Sequence, residues 1–157
     1  MKVNRKSTTL CEDSDKMKDS PHNLDKKIIQ AYKEAEYWLT VQSILVKIGL
    51  ENKNLHHFLV DNKFFSYAFI TAHNPFSKIQ KNAVNAAAHK SLENKLKGMD
   101  LTYLLAKAKD PKNEWPEEEG FFVFDMPLEE LKKLAMSFKQ NAVVYGNITI
   151  APQLIAL

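Results

Sequence analysis

Between Phe65 and Gly146, short apolar runs alternate with two amphipathic stretches in the order β-α-β-β-α-β, and few folds accept that order. Phe65–Ala72 reads as a strand that Pro75 ends, because proline cannot donate to a ladder and constrains the residue before it. A long helix follows, with Ala83, Ala86, Ala87, Leu92 and Leu96 as its expected inner face and Gly98 at its C-terminus. Leu101–Ala106 is the second expected strand and Asp110–Glu119 a polar loop with two prolines. After Gly120, the continuous run Phe121-Phe122-Val123-Phe124 has the character of a central strand. Asp125 and Pro127 open an expected helix over Leu128–Phe138. Ala142–Tyr145 is the fourth strand, with Ile148–Ile150 placed to pair with it across a Gly146-Asn147 turn. The expectation is an α+β domain, mainly antiparallel, with a ferredoxin-like core over about 65–146. Right-handed crossovers give the strand order fourth, first, third, second.

Ahead of this unit, residues 1–23 form a polar, aperiodic leader, expected to be disordered, and 24–157 a single domain. Ile28, Ile29, Tyr32, Ala35, Glu36 and Leu39 fit one face of a short helix with Asp25 near its positive end. Thr40-Val41 and Ile44–Ile48, closed by Gly49, predict a strand or hairpin, and Asn54 is placed to cap a brief helix through Val60.

Composition excludes several classes. An apolar content of 45% with 26% charged residues is ordinary for a globular chain. Met1–Ser20 lacks the apolar segment of a secretory signal and nothing resembles a membrane span, so a cytoplasmic protein is expected. Cys11 is the only cysteine, which rules out an intrachain disulfide and a cysteine metal cage. The net charge of +3 comes almost entirely from lysine, and the only arginine is Arg5 in the leader. Without arginine forks, sequence-specific DNA recognition is not expected.

Topology also brings distant segments together. The first and second strands of the unit end on one sheet edge, where the third and fourth begin. The Asn74 loop, the Trp115–Glu118 loop and Gln140-Asn141 therefore converge. The candidate ligand-binding residues are Thr71, His73, Asn74, Ser77, Trp115, Glu118, Gln140 and Asn141. Amides orient planar polar ligands, Trp115 offers a flat wall, and free N–H groups at a helix start attract anions. Each has a structural alternative: an Asx-turn for Asn74, helix termination for Gln140 and Asn141, a lid over the core for Trp115. His73 is the one histidine in a motif-like position. No zinc-ligand spacing is present, and a Ser77–His73–Glu118 triad lacks a nucleophile elbow. No metal and no cofactor are expected, and four glycines give no phosphate loop.

Phe69-Ile70-Thr71-Ala72 with Asn74-Pro75 and Ser77, then Gln140-Asn141-Ala142-Val143, resemble DUF3293, a family of small bacterial domains of unknown function. Ala31-Tyr32 and Tyr37, Asn82, and Trp115 with Glu118 extend the resemblance over about Ile29 to Leu154. Gly120 stands where the family often has serine, and His73 at a variable position. The resemblance implies no reaction, cofactor or partner. The residues themselves favour a non-catalytic module that binds a small polar or anionic ligand or a peptide. The alternatives are a small hydrolase or transferase using Glu118, and a structural domain whose sheet edge or apolar C-terminus pairs with itself or with a protein partner.

Overall fold

The computed structural model describes residues 25–157, so the expected leader lies outside the described residues. Four helices and seven strands form an α+β domain around one curled antiparallel sheet. The elements are α1 (Lys26–Glu34), β1 (Glu36–Leu39), β2 (Ile44–Val46), α2 (Lys53–Asp61), β3 (Ser66–Thr71), α3 (Asn82–Gly98), β4 (Tyr103–Lys109), β5 (Glu118–Phe124), α4 (Leu128–Ser137), β6 (Ala142–Asn147) and β7 (Ile150–Ala156). A single 3₁₀ turn, Pro75–Ser77, lies between β3 and α3.

The sheet runs β2-β1-β4-β5-β3-β6-β7, and every pairing is antiparallel. Its four middle strands have the expected spatial order, but the sheet is wider than a four-stranded ferredoxin-like unit. The β1–β2 hairpin extends one side and β7 the other. The amide of Gly49, beyond β2, donates to the Pro152 carbonyl in β7 at 2.8 Å, so the curl brings the two outer strands into contact.

Strand alternation divides the core in two. Ala68, Ile70, Phe121, Val123 and Val143 face α3 and α4, where Leu92, Leu96, Leu131 and Ala135 meet them. Tyr37, Leu39, Tyr67, Phe69, Phe122, Phe124 and Val144 line the concave face, plugged by Leu55 and Leu59 of α2. Fully burying each phenylalanine of β5 contributes about 1.5–3 kcal/mol, which explains the continuous apolar run.

Several boundaries differ from the sequence reading. The first helix stops at Glu34, and Tyr37 and Leu39 alternate inward on a strand paired with β4. Thr40 and Val41 lie in the following turn. Asn52 rather than Asn54 caps α2, accepting the Leu55 amide at 3.0 Å. Asp125 does not cap α4; its Oδ1 accepts the amides of Phe65 and Ser66, both at 2.8 Å. In α3, Ala83, Ala86 and Ala87 are exposed, and the inner face is Asn85, Leu92 and Leu96 with Ala88 and His89 half-buried. The C-terminal apolar residues form β7 against β6. No helix among the described residues is long and apolar enough to cross a membrane.

Candidate functional site

The register settles which strand ends meet. Thr71 of β3 pairs with Gly120 of β5, Ala108 of β4 pairs with Glu118, and Phe69 pairs with Val144 of β6. The end of β3, the end of β4 and the starts of β5 and β6 therefore share one sheet edge. There the concave face opens into a cleft of ≈ 80 Å³, roofed by Ile28, Ala31 and Tyr32 of α1 and walled by Trp115 and Pro116. Phe69, Ala142 and Leu154 line its floor.

Glu118 is an acidic member of this mostly apolar lining, which also includes Lys109 and Asp110. The strand starts two residues earlier than the sequence suggests, so Glu118 belongs to β5 and alternation turns it inward. Burial pushes its carboxyl up to about 7, against a smaller opposing effect of the hydrogen bond from Asn74. Asn74 Nδ2 donates to Glu118 Oε1 at 2.9 Å, which leaves Oε2 open to the cleft.

Asn74 is itself buried and left-handed, at φ 47°. Its Oδ1 accepts the Gln80 amide at 2.9 Å and Asn85 Nδ2 at 3.0 Å, while its own backbone N–H donates to Asn85 Oδ1 at 3.0 Å. Both ends of the amide are therefore used in building the loop and in holding Glu118. Phe76 and Ser77 are also left-handed, at φ 54° and 59°. Three such non-glycine residues within four positions store backbone strain, which persists only where surrounding contacts fix it. Here the Phe76 amide donates to the Lys139 carbonyl at 2.7 Å, tying the turn to the segment before β6.

A second polar group lies across the cleft. The Ser77 and Tyr32 hydroxyls are 2.8 Å apart, and Asn141 Nδ2 donates to Ser77 Oγ at 2.9 Å. Burial raises the Tyr32 phenol above its ordinary value, although the Ser77 bond opposes it. The Tyr37 hydroxyl donates to the Tyr32 carbonyl at 2.8 Å and fixes the end of α1. Gln140 is buried and its Nε2 donates to the carbonyls of His73 and Phe138, at 3.1 and 3.2 Å.

Residues 70–143 match DUF3293, described as a protein of unknown function. Over this segment, a little under half of the chain, the sequence is similar to the DUF3293 family. The segment is narrower than the span of the sequence resemblance, yet it contains all eight candidate residues. The roof from α1 and the Leu154 floor lie outside the DUF3293 match. No curated protein and no solved structure matches the chain.

Within the DUF3293 segment, Thr71, Asn74, Ser77, Trp115, Glu118 and Gln140 line the cleft. Asn141 stands behind Ser77. Thr71 also serves the backbone, its hydroxyl donating to the Glu119 carbonyl at 2.6 Å and accepting the His73 amide at 3.1 Å. His73 is not part of this lining. Its ring lies 5.9 Å from that of His89, edge to face, and burial lowers its pKa. With Ser77 bonded to Tyr32 and Asn141, and Glu118 to Asn74, no Ser77–His73–Glu118 relay forms. A Cβ at Gly120 would lie 2.5 Å from the Ile70 carbonyl oxygen and 2.8 Å from the Phe69 ring, so the fold leaves no room for a hydroxyl-bearing side chain there.

The sequence reading did not single out Asn85, His89, or Tyr32 as a cleft hydroxyl. A helical stripe could have revealed the first two. Asn85, His89, Leu92 and Leu96 follow the three-to-four spacing of one helix face, with two polar members beside two buried leucines.

Proposed function

We propose that the cleft is a binding site for a small ligand, or the end of a larger one such as a peptide, that presents an N–H donor from an apolar body. The observation that carries this reading is Glu118, held by Asn74 through one oxygen and facing an apolar lining with the other. Pockets of this kind take orientation from a few polar groups and affinity from apolar contact. The anionic ligand considered from sequence gains less support. Both N–H groups of Gln140 and one of the two on Asn74 Nδ2 are used inside the protein, and the helix start nearest Asn74 is a single 3₁₀ turn. The volume suits one ring or branched group rather than a whole nucleotide.

Ligand-observed NMR with amine, amide and carboxylate fragments tests this. Donor fragments are expected to bind the wild type, to lose binding in Glu118→Gln, which replaces the open acceptor by a donor, and to be excluded by Ala31→Trp in the roof. Donor fragments that bind Ala31→Trp as well as the wild type would remove the cleft from consideration.

A catalytic reading keeps one specific observation in its favour. A carboxyl anchored on one oxygen beside the Tyr32 and Ser77 hydroxyls is arranged for proton transfer to a bound hydrolase or transferase substrate. Turnover of any bound fragment class that disappears in Glu118→Gln would support it.

A further inference from the structure

On the opposite side of β5 from Glu118, three side chains from three elements converge. His73 comes from the loop after β3, His89 from the middle of α3, and Glu119 from β5. Their potential ligand atoms all lie within 4.8 Å of one another, the one such group among the described residues. Their positions follow from features already described. Gln140 and Thr71 hold the backbone of His73 through its carbonyl and amide. His89 stacks on Phe121 with ring centroids 4.5 Å apart and planes 12° apart, so the ring plane is set by the core.

The hydrogen-bond accounting is incomplete here. His73 Nε2 and His89 Nδ1 are both buried and neither has a partner. Buried ring nitrogens are normally satisfied, and an unsatisfied one calls for a specific explanation. Both nitrogens here belong to rings that each bring a ligand atom within 4.8 Å of the other and of the Glu119 carboxylate.

We propose that His73, His89 and Glu119 bind a divalent transition-metal ion, with zinc the ion their donors suit best. Two imidazole nitrogens and one carboxylate oxygen form a recognised three-ligand set that leaves a coordination position for water or another ligand. Zinc–ligand distances near 2.0–2.2 Å would need the three ligand atoms, now within 4.8 Å of one another, to close further around the ion. Glu119 is exposed, which places one ligand of the set at the protein surface. The donor set disfavours calcium and magnesium, which prefer cages of oxygen atoms. Sequence spacing alone gives no sign of this site, because its ligands are sixteen and thirty residues apart along the chain.

Isothermal titration of the untagged, EDTA-treated full chain with ZnCl2 provides the test, with CoCl2 absorption reporting coordination. One zinc per chain with micromolar or tighter affinity is expected, together with visible d–d bands of low-symmetry cobalt. His89→Phe keeps the stacking on Phe121 but removes a ligand, and Glu119→Gln changes an exposed position. Each is expected to weaken zinc binding at least about tenfold while circular dichroism stays unchanged. A His56→Ala/His57→Ala double variant is expected to bind as the wild type does. No zinc binding by the wild type, or unchanged affinity in both His89→Phe and Glu119→Gln, would overturn the assignment.

Discussion

Glu118 and Glu119 are adjacent in the chain, yet the pleat of β5 sends them to different chemistry. Glu118 enters an apolar cleft, where Asn74 holds one oxygen and burial shifts the carboxyl up to about 7. Glu119 faces solvent next to two imidazoles. Identity and charge therefore say little here about role. Strand register decides which acid is desolvated and which stays available to a cation. The Asn74 loop connects the two sides, since His73 precedes Asn74 and its carbonyl is bonded to Gln140.

Asn74→Ala is the most disruptive substitution for the Glu118 side. It removes the Glu118 bond and strands the Gln80 amide and Asn85 Nδ2, so a loss of about 3 kcal/mol is expected in chemical denaturation. Retained stability would mean that the loop does not depend on this amide and that Asn74 is free to serve a ligand.

Burial of Glu118 also makes stability depend on pH. Glu118 has a folded pKa near 7 against about 4.5 unfolded, so its protonated form favours the native state. Its contribution is fully present below pH 4.5 and is lost as pH rises through 7. The phenols of Tyr32 and Tyr37, which face it from α1 and β1, are both raised and stay protonated in this window. In EDTA-treated protein, stability should fall by about 2 kcal/mol between pH 5 and pH 8 relative to Glu118→Gln. Parallel profiles for the two proteins would show that the carboxyl is hydrated.

The smallest effect belongs to the other acid. Without metal, Glu119→Gln should change stability by less than about 0.5 kcal/mol, as expected for an exposed side chain with no structural partner. A large loss would give Glu119 a structural role and erase the contrast between the two faces.

The convergence of the three segments was legible in the sequence because apolar runs separated by turns and helices fix strand directions. What escaped had little or no pattern to carry it. Glu118 and Glu119 read as loop because acidic residues are unusual in strands, and their strand character comes from pairing with Ala108 and Lys107. Glu36 and Leu39, three apart, suited a helix face, whereas Tyr37 and Leu39, two apart, are the pair that the strand buries. Alanine fits buried and exposed positions alike, so the alanine-rich start of α3 pointed to the wrong face and concealed Asn85 and His89. Local capping rules also failed at Asp125, whose carboxylate serves the backbone of Phe65 and Ser66 some sixty residues away.

The hydrogen bond from Gly49 to Pro152 gives the fold an order of assembly during synthesis. β7 is the last of these strands to emerge from a ribosome, and it completes both the contact with the β1–β2 hairpin and, through Leu154, the floor of the cleft. A nascent chain ending before Ile150 would hold Glu118 over an unfinished floor, with the apolar edge of β6 uncovered. Domain closure and completion of the cleft are therefore post-emergence events, made by the same seven residues.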